Sequence, residues 1–258
     1  MPTIELTSDN TTTTNGTGQA VTAWLAEPAP DAPVRGGLVL IEEVWGVNDH
    51  ITDVAGRLAA EGYVVIAPEI LALGVDLEEA AELGRIRSHG TDEERHAIQP
   101  RFRELLAPTR SPEFARAATA ALRTAVDRLL SDSRVDGRVG VLGFCFGGTY
   151  SLALAAADDR LRAAVSWYGA PMDADQLRTV TCPVLAFYGE EDEQVTASRP
   201  QVEEALGAIG VPFEGIVYPE AGHAFFNDTN PLAYRAEPAA DSWRRTLDFL
   251  AANLPGGR

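Results

Sequence analysis

Six short apolar runs, each bounded by turn residues and separated from the next by helical sequence, leave this chain few architectures to adopt. The runs lie at 37–42 (GLVLIE), 63–67 (YVVIA), 138–144 (RVGVLGF), 163–168 (AAVSWY), 183–188 (PVLAFY) and 214–218 (EGIVY). Rich in Val, Ile, Leu and aromatics without polar alternation, they read as parallel strands buried on both faces. Helical patterns fill the intervals at 51–60, 114–130, 148–157, 199–209 and 241–253. Such alternation predicts an α/β fold: a mostly parallel, doubly wound sheet with helices on both faces. An extended stretch at 21–27 is expected to add an antiparallel edge strand. The first twenty residues are polar, with a Thr run and Asn-Gly-Thr-Gly, and read as a hairpin-like turn or a loose start. No internal repeat and no second core are visible, so residues 1–258 are expected to form a single domain.

One segment breaks the rhythm. From about Leu71 to Ser111 there is no strand pattern, only charge-rich helical sequence. A long insertion leaving the C-terminal side of a sheet is where a lid or substrate-binding segment sits; a solvated helical excursion is the other reading.

Gly143-Phe144-Cys145-Phe146-Gly147-Gly148 follows the third run and opens a helical stretch. A strand, a tight turn and a helix around Gly-x-nucleophile-x-Gly is the setting that presents a nucleophile on strained backbone, the glycines leaving room where side chains would collide. The turn places Cys145 at a helix N-terminus, whose partial positive charge favours thiolate. Simple packing of a buried cysteine is the alternative. An acid and a histidine should follow in that order, each on the loop after a later strand. PVLAFY runs into Gly189-Glu190-Glu191-Asp192-Glu193-Gln194-Val195, and the last run leads into Glu220-Ala221-Gly222-His223-Ala224-Phe225. His223 would take the proton from Cys145, and Asp192 would orient and stabilise the imidazolium. Glu190, Glu191 and Glu193 compete on charge alone; Asp192 is preferred for its place at the turn of G-x-x-D-x-x-V. His50, in the first turn of a helix capped by Asn48 or Asp49, and His89 and His96, in the insertion, read as solvated. An oxyanion needs two donors: the N–H of Phe146 is one, and the loop after GLVLIE should supply the other.

Composition narrows the partners. Net charge is −17, and all 21 basic residues are arginine. Nucleic acid and anionic membranes, which need clustered positive charge, are poor partners for such a surface, whereas one or two arginines in a pocket can still hold a small anion. The two cysteines, Cys145 and Cys182, lack the spacing of a zinc site or a disulfide framework, and no cofactor is implied. No leader-like start and no long apolar run occur, so a cytoplasmic location is the default expectation, as a monomer or small homo-oligomer.

Four patches together resemble the dienelactone hydrolase family (carboxymethylenebutenolidases) of the α/β-hydrolases: Glu43-Val44-Trp45-Gly46-Val47-Asn48, the Cys145 turn, residues 189–195, and Ala221-Gly222-His223-Ala224-Phe225-Phe226. The resemblance runs from about Val21 to the C-terminus, and Glu-x-x-Gly-x-Asn is its most discriminating part. It implies that Glu43 contacts the resting thiol and shifts away when substrate arrives, and that the N–H groups of Val44 and Phe146 bind the oxyanion. It further implies hydrolysis of a small lactone or ester through a thioester on Cys145. The family's arginine four positions after the histidine is here Asn227. Its other carboxylate-binding arginine is matched to Arg95, with Arg85, Arg87 and Arg101 competing, so dienelactone is a weaker expectation than the hydrolase chemistry. Trp45, Trp167 and Tyr168 are candidates for an apolar pocket wall or for core at strand ends, with Trp45 and Tyr168 taken as substrate contacts. A broader carboxylesterase or thioesterase, and a non-catalytic ligand-binding homologue, are the alternative functions; the latter should lack a triad member, and none is missing.

Overall fold

The structure is a computed structural model that describes residues 3–6, 21–171 and 173–255. Its strands are β1 (Thr3–Leu6), β2 (Val21–Ala26), β3 (Gly36–Ile41), β4 (Tyr63–Pro68), β5 (Val139–Phe144), β6 (Ala163–Trp167), β7 (Val184–Gly189) and β8 (Phe213–Tyr218). They form one sheet in the order β1-β2-β4-β3-β5-β6-β7-β8. β1 and β2 run antiparallel, and every pairing from β4 to β8 is parallel. The six expected runs are thus strands β3 to β8.

One expectation needs correcting. The stretch at 21–27 is antiparallel as predicted, but it is not the edge, because Thr3–Leu6 pairs outside it. Only Leu6 of β1 is buried, so a polar edge strand carried no apolar signature to read. The Thr run and the Asn-Gly-Thr-Gly segment lie outside the described residues.

Strand periodicity divides the core into two layers. Val39, Ile41 and Val141 point to one side, against Leu122 and Val126 of α5 (Pro112–Leu130) and Leu152 of α6 (Phe146–Ala157). Leu38, Leu40 and Leu142 point to the other, against Ile51 and Leu58 of α1 (Asp49–Ala60) and Leu250 of α9 (Ala236–Asn253). The Asn48 side chain caps α1 by accepting the Ile51 N–H at 3.2 Å. His50 departs from its expected solvated role. Although in the first turn, it lies on the buried face of α1 with its ring edge-on to Phe144 and Phe226. His89 and His96 are exposed.

The segment after β4 is helical, with α2 (Leu77–His89), α3 (Asp92–Ala97) and α4 (Gln99–Leu105) between two 3-10 turns. A Thr91–Glu94 capping box starts α3, and the Asp76 side chain caps α2. Ile70, Leu71, Val75 and Ala80 of this segment join the core layer beside the sheet, and two further contacts reinforce the attachment. The Leu71 N–H donates to Oε1 of the buried Glu42 at 2.8 Å, and the Trp45 indole stacks on Phe102 with centroids 5.1 Å apart. Among the described residues no helix is long and apolar enough to cross a membrane.

Candidate active site

The C-terminal ends of β3, β5, β6, β7 and β8 converge on one spot. At the end of β5 the chain turns through Cys145 with φ 56° and ψ −115° into α6. Positive φ is costly for a residue with a Cβ, so this conformation persists only because its surroundings enforce it. They do so by crowding: a Cβ on Gly143 would stand 2.2 Å from the Gly147 carbonyl oxygen, and one on Gly147 would stand 2.2 Å from that of Ile41. The Cys145 N–H donates to the Trp167 carbonyl at 2.9 Å, tying the turn to β6. Tyr168, Glu220 and Ala224 also have positive φ. Such strained residues gather where side chains must be aimed rather than merely packed.

The aim is consistent. His223 Nε2 lies 3.0 Å from Cys145 Sγ, and its Nδ1 lies 2.5 Å from Asp192 Oδ2. Asp192 leads into the short helix α7 (Glu193–Thr196), and its loop is closed by the Asp192 N–H donating to Gly189 O and the Glu191 N–H donating to Ala221 O. Glu190 and Glu193 are exposed, and Glu191 lines the cavity wall instead. Burial of the imidazole works against its charge, but the Cys145 sulfur and the Asp192 carboxylate outweigh it and hold the His223 pKa up to about 11.

Glu43 is buried, and both carboxyl oxygens are occupied. The Tyr168 hydroxyl donates to Oε1 at 3.3 Å and the Asn227 amide to Oε2 at 2.7 Å. The resemblance led us to expect a contact between this carboxyl and the resting thiol; here the sulfur's hydrogen bond is to His223. Among the described residues, the N–H groups of Val44 and Phe146 have no protein acceptor, which leaves both free for an external oxygen.

A cavity of about 620 Å³ opens over the sulfur. Val44 and Trp45 from the loop after β3, Phe102 and Leu106 from the helical segment, and Leu232 from the loop before α9 give it an apolar wall. Arg87, Arg95 and Arg235 are also among its lining residues. Arg95, the expected substrate contact, is engaged by the Gly90 carbonyl and by Asp92. Arg235 donates to the carbonyls of Glu220, Leu232, Ala233 and Tyr234, so it shapes its own loop. Arg101 pairs with Glu79 away from the cavity. Arg87 is exposed and has no ion-pair or hydrogen-bond partner among the described residues.

Three aromatic expectations resolve differently. Trp45 lines the cavity, and Trp167 is core between Phe144 and Phe187. Tyr168 is buried behind the site, its ring 5.1 Å from that of His223, and does not line the cavity. The Phe146 ring likewise turns into the core, against Phe114 and Tyr150, leaving only its amide at the site. Sequence reasoning missed Asn227 as the partner of Glu43; only its departure from the family pattern marked the position. Arg235 and Phe102 gave no signal at all. Among the described residues no group of three or more His, Cys, Asp or Glu side chains is placed to hold a metal ion.

A mostly parallel sheet with a strained turn after its central strand, facing later loops that carry an acid and a histidine, defines an α/β-hydrolase. The fold alone is shared widely: a Pyrococcus horikoshii acylaminoacyl peptidase superimposes with a TM-score of 0.65 at 12% identity, over 95% of this chain and 42% of its own. The match narrows with sequence, because the model of the dienelactone hydrolase family aligns with residues 21–254. The chain belongs to the dienelactone hydrolase family, and it is a hydrolase. Proteins named "Putative carboxymethylenebutenolidase" from Methylorubrum extorquens and Synechocystis are similar to it. The first is 32% identical over 89% of this chain and 76% of its own length, the second 33% identical over 91% and 92%. A Klebsiella pneumoniae crystal structure described as a dienelactone hydrolase of that same provisional kind has a TM-score of 0.77 and 28% identity, covering 97% of this chain and 98% of its own.

Proposed function

We propose that the chain hydrolyses a small lactone or ester through a Cys145–His223–Asp192 triad and a thioester on sulfur. The convergence of Sγ, imidazole and carboxylate, at 3.0 and 2.5 Å, supports this reading above all else. Sγ, its proton passed to Nε2, attacks the acyl carbon, and the carbonyl oxygen becomes an oxyanion between the N–H groups of Val44 and Phe146. The acyl C–O bond then breaks, and His223 returns the proton to the departing alkoxide or enolate. Water, deprotonated by the same imidazole, cleaves the thioester and frees the acid. Asp192 orients the ring and stabilises its charged form throughout.

An apolar wall with Arg87 unpaired at its rim suits a compact acyl group carrying a carboxylate. Asn227, lying where the family places an arginine, favours a second reading: a broader carboxylesterase that also takes neutral esters. Comparing cis- and trans-dienelactone with a neutral aryl ester separates the two, since preference for the neutral ester by orders of magnitude removes the lactone reading. For the chemistry itself, Cys145→Ala should lower turnover of a chromogenic aryl ester on the order of 10⁴-fold or more. Unchanged turnover in that variant, or after alkylation of Cys145, would remove the cysteine mechanism.

A further inference from the structure

Acyl transfer gives the cavity over the sulfur two sides. Once Sγ has attacked, the tetrahedral carbon carries sulfur, an oxyanion, the acyl chain and the alkoxy oxygen. The oxyanion faces the N–H groups of Val44 and Phe146. The alkoxy oxygen must meet His223 Nε2, which hands it a proton as the C–O bond breaks. The alcohol arm therefore leaves over the histidine side, and the acyl chain takes the remaining space toward Trp45, Phe102 and Leu106.

The histidine side is built from the β8–α9 loop. The Arg235 N–H donates to the Phe225 carbonyl at 2.9 Å and its Nε to that of Glu220 at 3.2 Å, so residues 230–235 are strapped to both flanks of His223. The same guanidinium gathers the carbonyls of Leu232, Ala233 and Tyr234, and the N–H groups of Leu232 and Ala233 donate to Asn230. A loop wound this firmly presents Leu232 in one place. Leu232 is 53% exposed, the most of any large apolar residue described. A lone exposed leucine means little in itself. This one lines the cavity, with Ala224 and Ala233 beside it. The acid on this wall, Glu191, is tied to the same side by its N–H on the Ala221 carbonyl and disfavours an anionic alcohol, whereas Arg87 and Arg95 belong to the helical segment.

We infer that this wall is a leaving-group subsite, that Leu232 is a specificity-determining residue in it, and that the preferred substrates are open-chain esters of an uncharged, apolar alcohol. The inference rests on the Cys145–His223 reading of the chemistry and names a substrate class for it. At about 620 Å³ the cavity lies in the range that encloses a mid-sized organic ligand, more than a single lactone ring fills. In a lactone the alcohol arm is tied back into the acyl chain, which leaves Leu232 bare. A free alkyl or aryl arm covers it and removes apolar surface from water.

Methyl to butyl esters of propionic acid test this, because their leaving groups differ in length and hardly in acidity. Followed by acid release, kcat/KM should rise about twofold per methylene, short of the roughly fourfold of full burial, since Leu232 covers one side of the arm. Single-turnover hydrolysis of the thioester should be equally fast for all four, the alcohol having gone. In Leu232→Ala, a change at an exposed position, the butyl-to-methyl ratio should fall from about eightfold to about twofold. Methyl esters of acetic to pentanoic acid should keep the same relative rates in that variant. A flat wild-type series, or a ratio unchanged in Leu232→Ala, would overturn the subsite. A variant that reorders the acyl series instead would put Leu232 on the acyl side and overturn the assignment. Wild-type enzyme that opens a lactone but leaves all four propionates intact would overturn the substrate class while the triad stands. Undiminished hydrolysis of the propionates in Cys145→Ala would overturn the cysteine chemistry, and this inference with it.

Discussion

His223 is the residue on which several physical effects meet. Its ring loses hydration on entering the site, which favours the neutral form, yet the neighbouring sulfur charge and the Asp192 hydrogen bond raise its pKa to about 11. The sign follows directly: a raised value means that the proton stays on the ring to higher pH, so the charged form persists through the neutral range. Removing the carboxylate removes part of what raises it. Asp192→Asn should therefore lower kcat/KM by about 10²–10⁴-fold and move the alkaline limb of the pH–rate profile to lower pH. A profile whose alkaline limb stays in place would mean that Asp192 does not act through the imidazole. Cys145 and the two flanking glycines illustrate a different cost at this scale. Backbone that no alanine could follow without meeting a carbonyl oxygen at 2.2 Å is retained because it turns the sulfur toward the histidine.

Among the elements, the helical segment between β4 and α5 supplies Arg87, Arg95, Gln99, Phe102 and Leu106 to the wall of the cavity over the sulfur. Its helices carry few buried residues, Ala80 and Leu83 of α2 being the buried ones of α2 to α4. A segment so thinly anchored depends on individual contacts. Trp45 supplies one, lying against Phe102 on one side and so close to Gly84 that a Cβ there would meet the indole at 3.0 Å. Trp45→Ala should accelerate amide hydrogen exchange across residues 77–105 while leaving β3 to β8 protected. It should also raise KM more than it lowers kcat, because the cavity wall is disturbed and the placement of Cys145, His223 and Asp192 is not. Exchange unchanged in α2 and α4 would show that the Glu42–Leu71 tie and the α2–α4 contacts hold the segment without the tryptophan.

For the whole molecule the governing quantity is its charge. A chain with net charge −17 and only arginine as base must neutralise carboxylates locally, and it does so in clusters. Arg134 holds Asp132 below the ordinary carboxylate range. Burial would raise Asp158, but Arg160 and Arg123 outweigh it. Burial likewise opposes Asp241, yet Arg245, Arg244 and Tyr218 bring it down to about 2. Each folded-state value lies below the unfolded one, so this stabilisation is present above about pH 4 and is lost as pH falls toward 2. Thermal midpoints should therefore drop steeply between pH 4 and 2.5, and Asp241→Asn should flatten that drop. A variant as acid-sensitive as the wild type would assign the loss to other carboxylates.

How much of this was legible beforehand follows from the range of the forces involved. Local periodicity and turn chemistry mark out β3 to β8, the helices around them and the strained turn at Cys145, because burial on both faces and the needs of a tight turn are written into consecutive residues. The order of acid and histidine after that turn is likewise readable from one dimension. Other features were decided only when distant segments met. The polar strand β1 has no apolar pattern and exists through its pairing with β2. His50 is buried because Phe144 and Phe226 close over it. Glu43 rests on Asn227, 184 residues away, a hydrogen bond that no local pattern specifies. Which of the candidate guanidinium groups is engaged was settled partly the same way: Arg101 pairs with Glu79 and Arg235 reaches the Glu220 carbonyl, whereas Arg95 is held locally by Gly90 and Asp92. Hydrogen bonds and ion pairs act over a few ångströms, so their outcome belongs to the tertiary structure, whereas apolar burial is averaged over whole segments and leaves its trace along the chain.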